Sequence, residues 1–126
     1  MQDPICRLTP RDHIRRDPMP MDRIFCEHGR IAPWVVRRRV ALLARAVAEM
    51  EFRVRARHVA ELPDLLRAFG RQAGRLGLLS LSFVAREAAA CLATDDSVAF
   101  SALWARLERE AEAGLRPLRA LIRAAL

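Results

Sequence analysis

Histidines, cysteines and arginines are the residues of this chain with chemistry to offer. There are 3 His and 3 Cys, and all 22 basic residues are arginine. His58 stands between two helical patterns, where an imidazole is accessible to chemistry; the same residue type in a loop is more often a surface or capping residue. Cys6, His13, Cys26 and His28 include zinc-ligand types, but no Cys-x-x-Cys pair occurs and Cys26-Glu27-His28 is too tight for a common structural site. No metal and no cofactor are expected. Glu108 and Glu112 are spaced i, i+4 with Arg109 between them, which suits a solvated face with local ion pairs better than paired-carboxylate catalysis. With no nucleophile elbow and no phosphate loop, an enzyme is not expected.

The arginines form two groups. Arg67, Arg71 and Arg75 recur every four residues with Gly70 and Gly74 among them, so a helix would place all five on one face, kept low by the glycines. Such arginines usually form a solvated face. Two glycines in an exposed helix, however, cost about 1 kcal/mol each relative to alanine, which suggests that something approaches closely, either a partner or another part of this chain. Arg37, Arg38 and Arg39, with Arg30 and Trp34 nearby, form the second group and could touch nucleic-acid phosphates, although no reading motif accompanies them.

The elements that must position these residues read as helices. The 126 residues suffice for one hydrophobic core. Composition is globular, 52% hydrophobic and 29% charged, with abundant Ala, Leu, Arg and Glu and no run of alternating polarity, so the fold class is all-α. Residues 1–32 carry Pro4, Pro10, Pro18 and Pro20 among many charges and read as a largely irregular arm. Thr9-Pro10 is suited to capping a helical turn, and Met19 and Met21 are alternative starts to Met1. Residues 33–126 read as the bundle.

From Trp34 to about Arg57, Val36, Val40, Leu43, Val47, Met50 and Val54 follow at spacings of four and three, the stripe of one long helix. Spacing this regular also suits a coiled-coil seam, so monomer and homodimer both stay open, with packing inside the chain favoured. Pro63 opens a second helix running to about Arg75, with Leu62, Leu65, Leu66, Phe69, Ala73 and Leu76 inward and Gly77 as the left-handed residue that ends it. Ser80 or Ser82 is expected to cap a third helix burying Leu81, Val84, Ala85, Ala88 and Leu92. Asp95 and Asp96 cap a fourth, burying Phe100, Leu103, Trp104, Leu107 and Ala111. Gly114 and Pro117 then interrupt it, leaving a kinked continuation or an extra C-terminal helix with Leu118, Leu121 and Ile122 on one face. Short connections predict antiparallel neighbours.

Read together, these helices resemble the histidine-containing phosphotransfer (HPt) domain of bacterial phosphorelays. That family carries H-x-L-K-G on one helix, then a Leu-Gly that opens the next, with text of the form L-x-x-x-A-x-x-L-E. Here the matching text runs from Arg67-Ala68-Phe69-Gly70-Arg71 to Leu76-Gly77, then Leu81 through Leu92 and the acidic turn Asp95-Asp96, over roughly residues 36–113. The resemblance implies an antiparallel four-helix bundle that docks a receiver domain or a histidine kinase of a two-component system. Anchored on Leu76-Gly77, the family's phosphorylatable histidine falls on Arg67, and neighbouring registers give Leu66 or Ala68. A guanidinium stays protonated and has no free lone pair, so it cannot accept a phosphoryl group. The expectation is therefore a module that binds without accepting phosphate, through Arg67, Gly70, Arg71, Gly74 and Arg75. His58 is a weak catalytic candidate displaced from the motif, and nucleic-acid binding or a homodimeric scaffold is the alternative function.

The charge is unevenly distributed. Residues 1–60 hold 13 Arg against 7 acids and residues 61–126 hold 9 against 8, within a net charge of +7. Charge alone does not choose between nucleic acid, anionic lipid and an acidic protein surface. An odd cysteine number, no apolar leader core and no charge-free stretch of membrane-spanning length lead to the expectation of a cytoplasmic protein with no membrane partner.

Overall fold

A proline pair marks the first departure from the expected arm. The computed structural model describes residues 16–125, and within them Pro18–His28 form a helix, α1, where an irregular segment was expected. Asp17 caps it, its side chain accepting the Met19 N–H at 3.0 Å, and Pro18 and Pro20 fall in the first turn, where a missing N–H costs nothing. The cap-and-proline signal is thus Asp17-Pro18; Thr9-Pro10, Cys6 and His13 lie outside the described residues. A 3₁₀ turn, Gly29–Ile31, leads into α2 (Ala32–Ala56), followed by α3 (Leu62–Gly74), α4 (Leu79–Ala93) and α5 (Ser97–Ala125). No strand occurs among the described residues, and no helix there is long and apolar enough to cross a membrane.

The α2 stripe faces the core. Val36, Val40, Leu43 and Met50 are buried and Val47 and Val54 half-buried, with α2 packed on α1, α3 and α5. The stripe thus packs inside the chain, the arrangement favoured from its spacing. Helix α3 also packs on α4 and α4 on α5, so α2 to α5 close a ring around one core.

Three helices end in the same way. His58 N–H reaches Arg53 O (3.0 Å) while Arg57 N–H reaches Val54 O (3.2 Å); Leu78 reaches Ala73 (3.0 Å) beside Gly77 to Gly74 (2.9 Å); Asp96 reaches Cys91 (3.0 Å) beside Asp95 to Leu92 (3.4 Å). These are Schellman pairs, and each needs a left-handed residue at its centre: Arg57 at φ 59°, Gly77 at φ 80° and Asp95 at φ 56°. Only at Gly77 is glycine obligatory, because a Cβ there would lie 2.0 Å from the Asp17 carbonyl oxygen. Asp17 N–H donates to Gly77 O at 2.8 Å, seating the N-terminal segment on the α3–α4 turn.

One expectation about a cap is corrected, and one left open about the C-terminal end is decided. Ser80 and Ser82 do not cap α4. They lie inside it, buried, and Leu78 occupies the cap position without a side-chain bond. Of the two alternatives at Gly114 and Pro117, α5 continues through both residues and no extra helix follows; Gly114 is buried against Leu78, and its carbonyl accepts from Arg16 Nη2 at 3.0 Å. Asp96 does cap α5, its Oδ1 accepting from Ala99 N–H at 3.1 Å.

Candidate functional site: an arginine-lined groove

Helix α3 carries the expected site, but its five residues do not share one surface. At about 100° per residue, Gly70 lies about 60° round from Arg67, on the side facing α4. Gly70 is buried there, and a Cβ on it would stand 3.2 Å from the Ser82 carbonyl oxygen and 3.6 Å from Ala85 Cβ; one on Gly74 would stand 3.6 Å from Ser82 Oγ. The glycines thus allow α3 and α4 to pack closely, and the close approach is made by this chain itself. They do not hold an exposed face low. Arg67 is half-exposed and engaged locally, with Nη2 2.8 Å from Asp64 Oδ1.

Arg71 and Arg75 stand apart from that pair. Together with Gly74 they line a groove whose other walls are Pro20, Arg23, Ile24 and Glu27 of α1 and Arg39 of α2. An adjoining groove between α2 and α3 shares Arg39 and Arg75 and adds Val35, Arg38, Leu42 and Gln72. Arg23, Arg38, Arg39, Arg71 and Arg75 therefore converge from three helices, and Glu27 is the one acid among the lining residues of the two grooves. None of these five arginines forms an ion pair among the described residues, whereas Arg53, Arg55, Arg67, Arg106 and Arg116 do. Guanidinium groups gathered around a concave surface can grip carboxylate or phosphate oxygens through paired N–H donors.

Sequence reasoning found Arg71 and Arg75 but not their association with Arg23, Arg38 and Arg39. Arg38 and Arg39 had been grouped with Arg37 as a separate patch. The available signal was the α2 stripe: Arg39 flanks Val36, Val40 and Leu43, so it borders whichever helix packs there. Arg23 was hidden by reading residues 1–32 as irregular.

His58 is exposed in the loop between α2 and α3, its backbone N–H closing the α2 end. Arg53 fixes that corner by bridging Glu49 and Glu61, each at 3.0 Å. Arg71 is nine residues beyond the start of α3, about 14 Å along its axis, so His58 belongs to the other end of the molecule from the groove. Of the zinc-ligand types, Cys26 is exposed and His28 half-buried on α1, and no group of three His, Cys, Asp or Glu suited to a metal ion occurs among the described residues.

No family model matches the chain, and comparison with curated proteins and with solved structures finds no match.

Proposed function

We propose that this protein is a cytoplasmic binding module of a bacterial two-component phosphorelay: an antiparallel four-helix bundle of HPt type that docks a receiver domain or a histidine kinase without accepting phosphate. The observation that carries the proposal is the convergence of Arg23, Arg38, Arg39, Arg71 and Arg75, without described ion-pair partners, on the α3 surface where the family's text places its docking helix. The closed ring of α2 to α5 supports the bundle. So does the way the N-terminal half of α2 shares grooves with the C-terminal ends of both α3 and α5. A receiver's phosphorylation pocket is lined with carboxylates, the complement of an arginine groove, and Arg67, at the acceptor position beside the groove and paired with Asp64, offers no nucleophile.

The test is calorimetric titration with a panel of receiver and kinase domains, using wild type and Arg71→Glu/Arg75→Glu. Micromolar binding that weakens at least about 30-fold on charge reversal, corresponding to about 2 kcal/mol, is the expected outcome. Undiminished binding by the double variant removes the docking face. Acid-labile label appearing on wild type but not on His58→Gln would instead make the protein a phosphate carrier.

The same five arginines favour a second reading, binding to nucleic-acid phosphates. Five phosphate contacts predict that log K falls with log salt at a slope of about −4.5 for duplex DNA. Absence of any DNA or RNA shift at low salt eliminates this reading.

A further inference from the structure

A second depression lies on another side of the molecule, between the N-terminal half of α2 and the C-terminal end of α5. Val40, Ala41 and Ala44 of α2 and Ile122 of α5 form its apolar floor, and Arg37, Arg119 and Arg123 complete its lining. The floor is low because Ala41 and Ala44 project only a methyl group between the helices, so the edges of two core residues, Val40 and Ile122, remain reachable. No acidic residue lines it, and Arg119 and Arg123, one helical turn apart, form no ion pair among the described residues. Arg37 is poised at the rim, its guanidinium carbon 5.8 Å from the centre of the exposed Trp34 ring. This groove shares no lining residue with the α1–α2–α3 groove, so it stands independently of the signalling proposal.

We propose that this groove binds a single-chain anionic amphiphile, an aliphatic chain ending in a carboxylate, sulfate or phosphate. The chain lies on Val40, Ala41, Ala44 and Ile122, and the head group is held by Arg37, Arg119 and Arg123. Charge decides against a second copy of this chain, since the same groove turned on itself would oppose arginines with arginines. Apolar floor and cationic rim together call for a ligand that has both an apolar body and an anionic end.

The probe is sodium dodecanoate below its micellar concentration, added to the full chain and followed by calorimetry and tryptophan fluorescence. Saturable binding is expected, with a fluorescence change that disappears in Trp34→Phe, which leaves only the buried Trp104. Acetate and dodecyltrimethylammonium should not bind. Arg37→Gln/Arg119→Gln/Arg123→Gln should weaken dodecanoate about tenfold or more, and Ala41→Glu, which places a carboxylate on the floor, should abolish it. All the substituted residues are exposed, so both variants should fold, and the triple variant, relieved of arginine repulsion, should melt no lower than wild type. Equal binding of the cationic amphiphile, unchanged binding by both variants, or association with anionic phospholipid vesicles but not with monomeric dodecanoate would each overturn the proposal.

Discussion

Among the described residues, Glu110 is the one buried side chain with a polar atom left unpaired. It lies on α5 at 1% exposure; Arg106 Nε donates to its Oε2 at 2.5 Å, and its Oε1 has no hydrogen-bond partner among the described residues. Burying a carboxylate costs several kcal/mol, and a single guanidinium that is itself partly exposed offsets only part of that. The two halves of the pair should therefore respond differently to removal. Glu110→Met takes away the desolvated charge and leaves Arg106 able to reach water, so it should be neutral or stabilising by about 1 kcal/mol. Arg106→Met leaves the buried carboxylate uncompensated and should destabilise by about 3 kcal/mol. Urea unfolding of both variants measures the contrast. A larger loss for Glu110→Met than for Arg106→Met would mean that the carboxylate is well solvated by other polar groups.

At the scale of elements, the pairing of α3 with α4 depends on how near two backbones can come. Gly70 and Gly74 face Ser82, but the room differs: 3.2 Å to a backbone oxygen at Gly70, 3.6 Å to a side-chain hydroxyl at Gly74. Alanine relieves the helix cost of either glycine by up to about 1 kcal/mol. At Gly74 the new methyl makes ordinary contact, so Gly74→Ala should stabilise by roughly 0.5–1 kcal/mol. At Gly70 it presses on a carbonyl that cannot rotate away, so Gly70→Ala should be neutral or destabilising by about 1 kcal/mol, the helix gain being offset by the clash. Thermal melts of the pair check the order, and equal effects would mean that the interface shifts freely.

The same pair shows what a sequence exposes and what it conceals. The inward stripe of α2 was readable because a period of 3.6 needs only one helix to be recognised, and the ends at Gly77 and Asp96 because turn and cap chemistry is local. Gly70 was placed on the wrong surface because the rotation between an arginine face and a glycine edge is small, and only the position of α4 decides which side is covered. Ser80 and Ser82 misled for a related reason. Serine caps helices well, yet it is also small enough for close packing, and burial against α3 prevailed over capping. The helix continues through Pro117 rather than giving way to a separate one because α5 is buried on either side of it, at Leu115 and Leu118.

The folded molecule concentrates charge more strongly than the chain does. Counting along the sequence puts the excess in the first half, but folding brings Arg119 and Arg123 from the end of α5 beside Arg37, adjoining the groups around Arg39 and Arg75. At the other end of α2 and α3, Arg53, Arg55 and Arg67 are balanced by Glu49, Glu51, Glu61 and Asp64. One end of the molecule therefore repels itself, and within a protein of net charge +7 that repulsion works against the compact state. Any anion that seats in the arginine groove should then stabilise the fold. At a concentration ten times its dissociation constant, phosphate would contribute about 1.4 kcal/mol, a rise in melting temperature of roughly 3–6 °C for a chain of this size. The comparison must hold ionic strength constant against chloride, because simple screening raises stability for either salt. It must also include Arg71→Glu/Arg75→Glu, because phosphate and sulfate strengthen burial in any protein by exclusion from its surface. If the groove binds the anion, the phosphate increment should disappear in that double variant and persist in Arg37→Gln/Arg119→Gln/Arg123→Gln. An increment of the same size in the charge-reversed protein would assign the effect to exclusion and leave the groove without an anion.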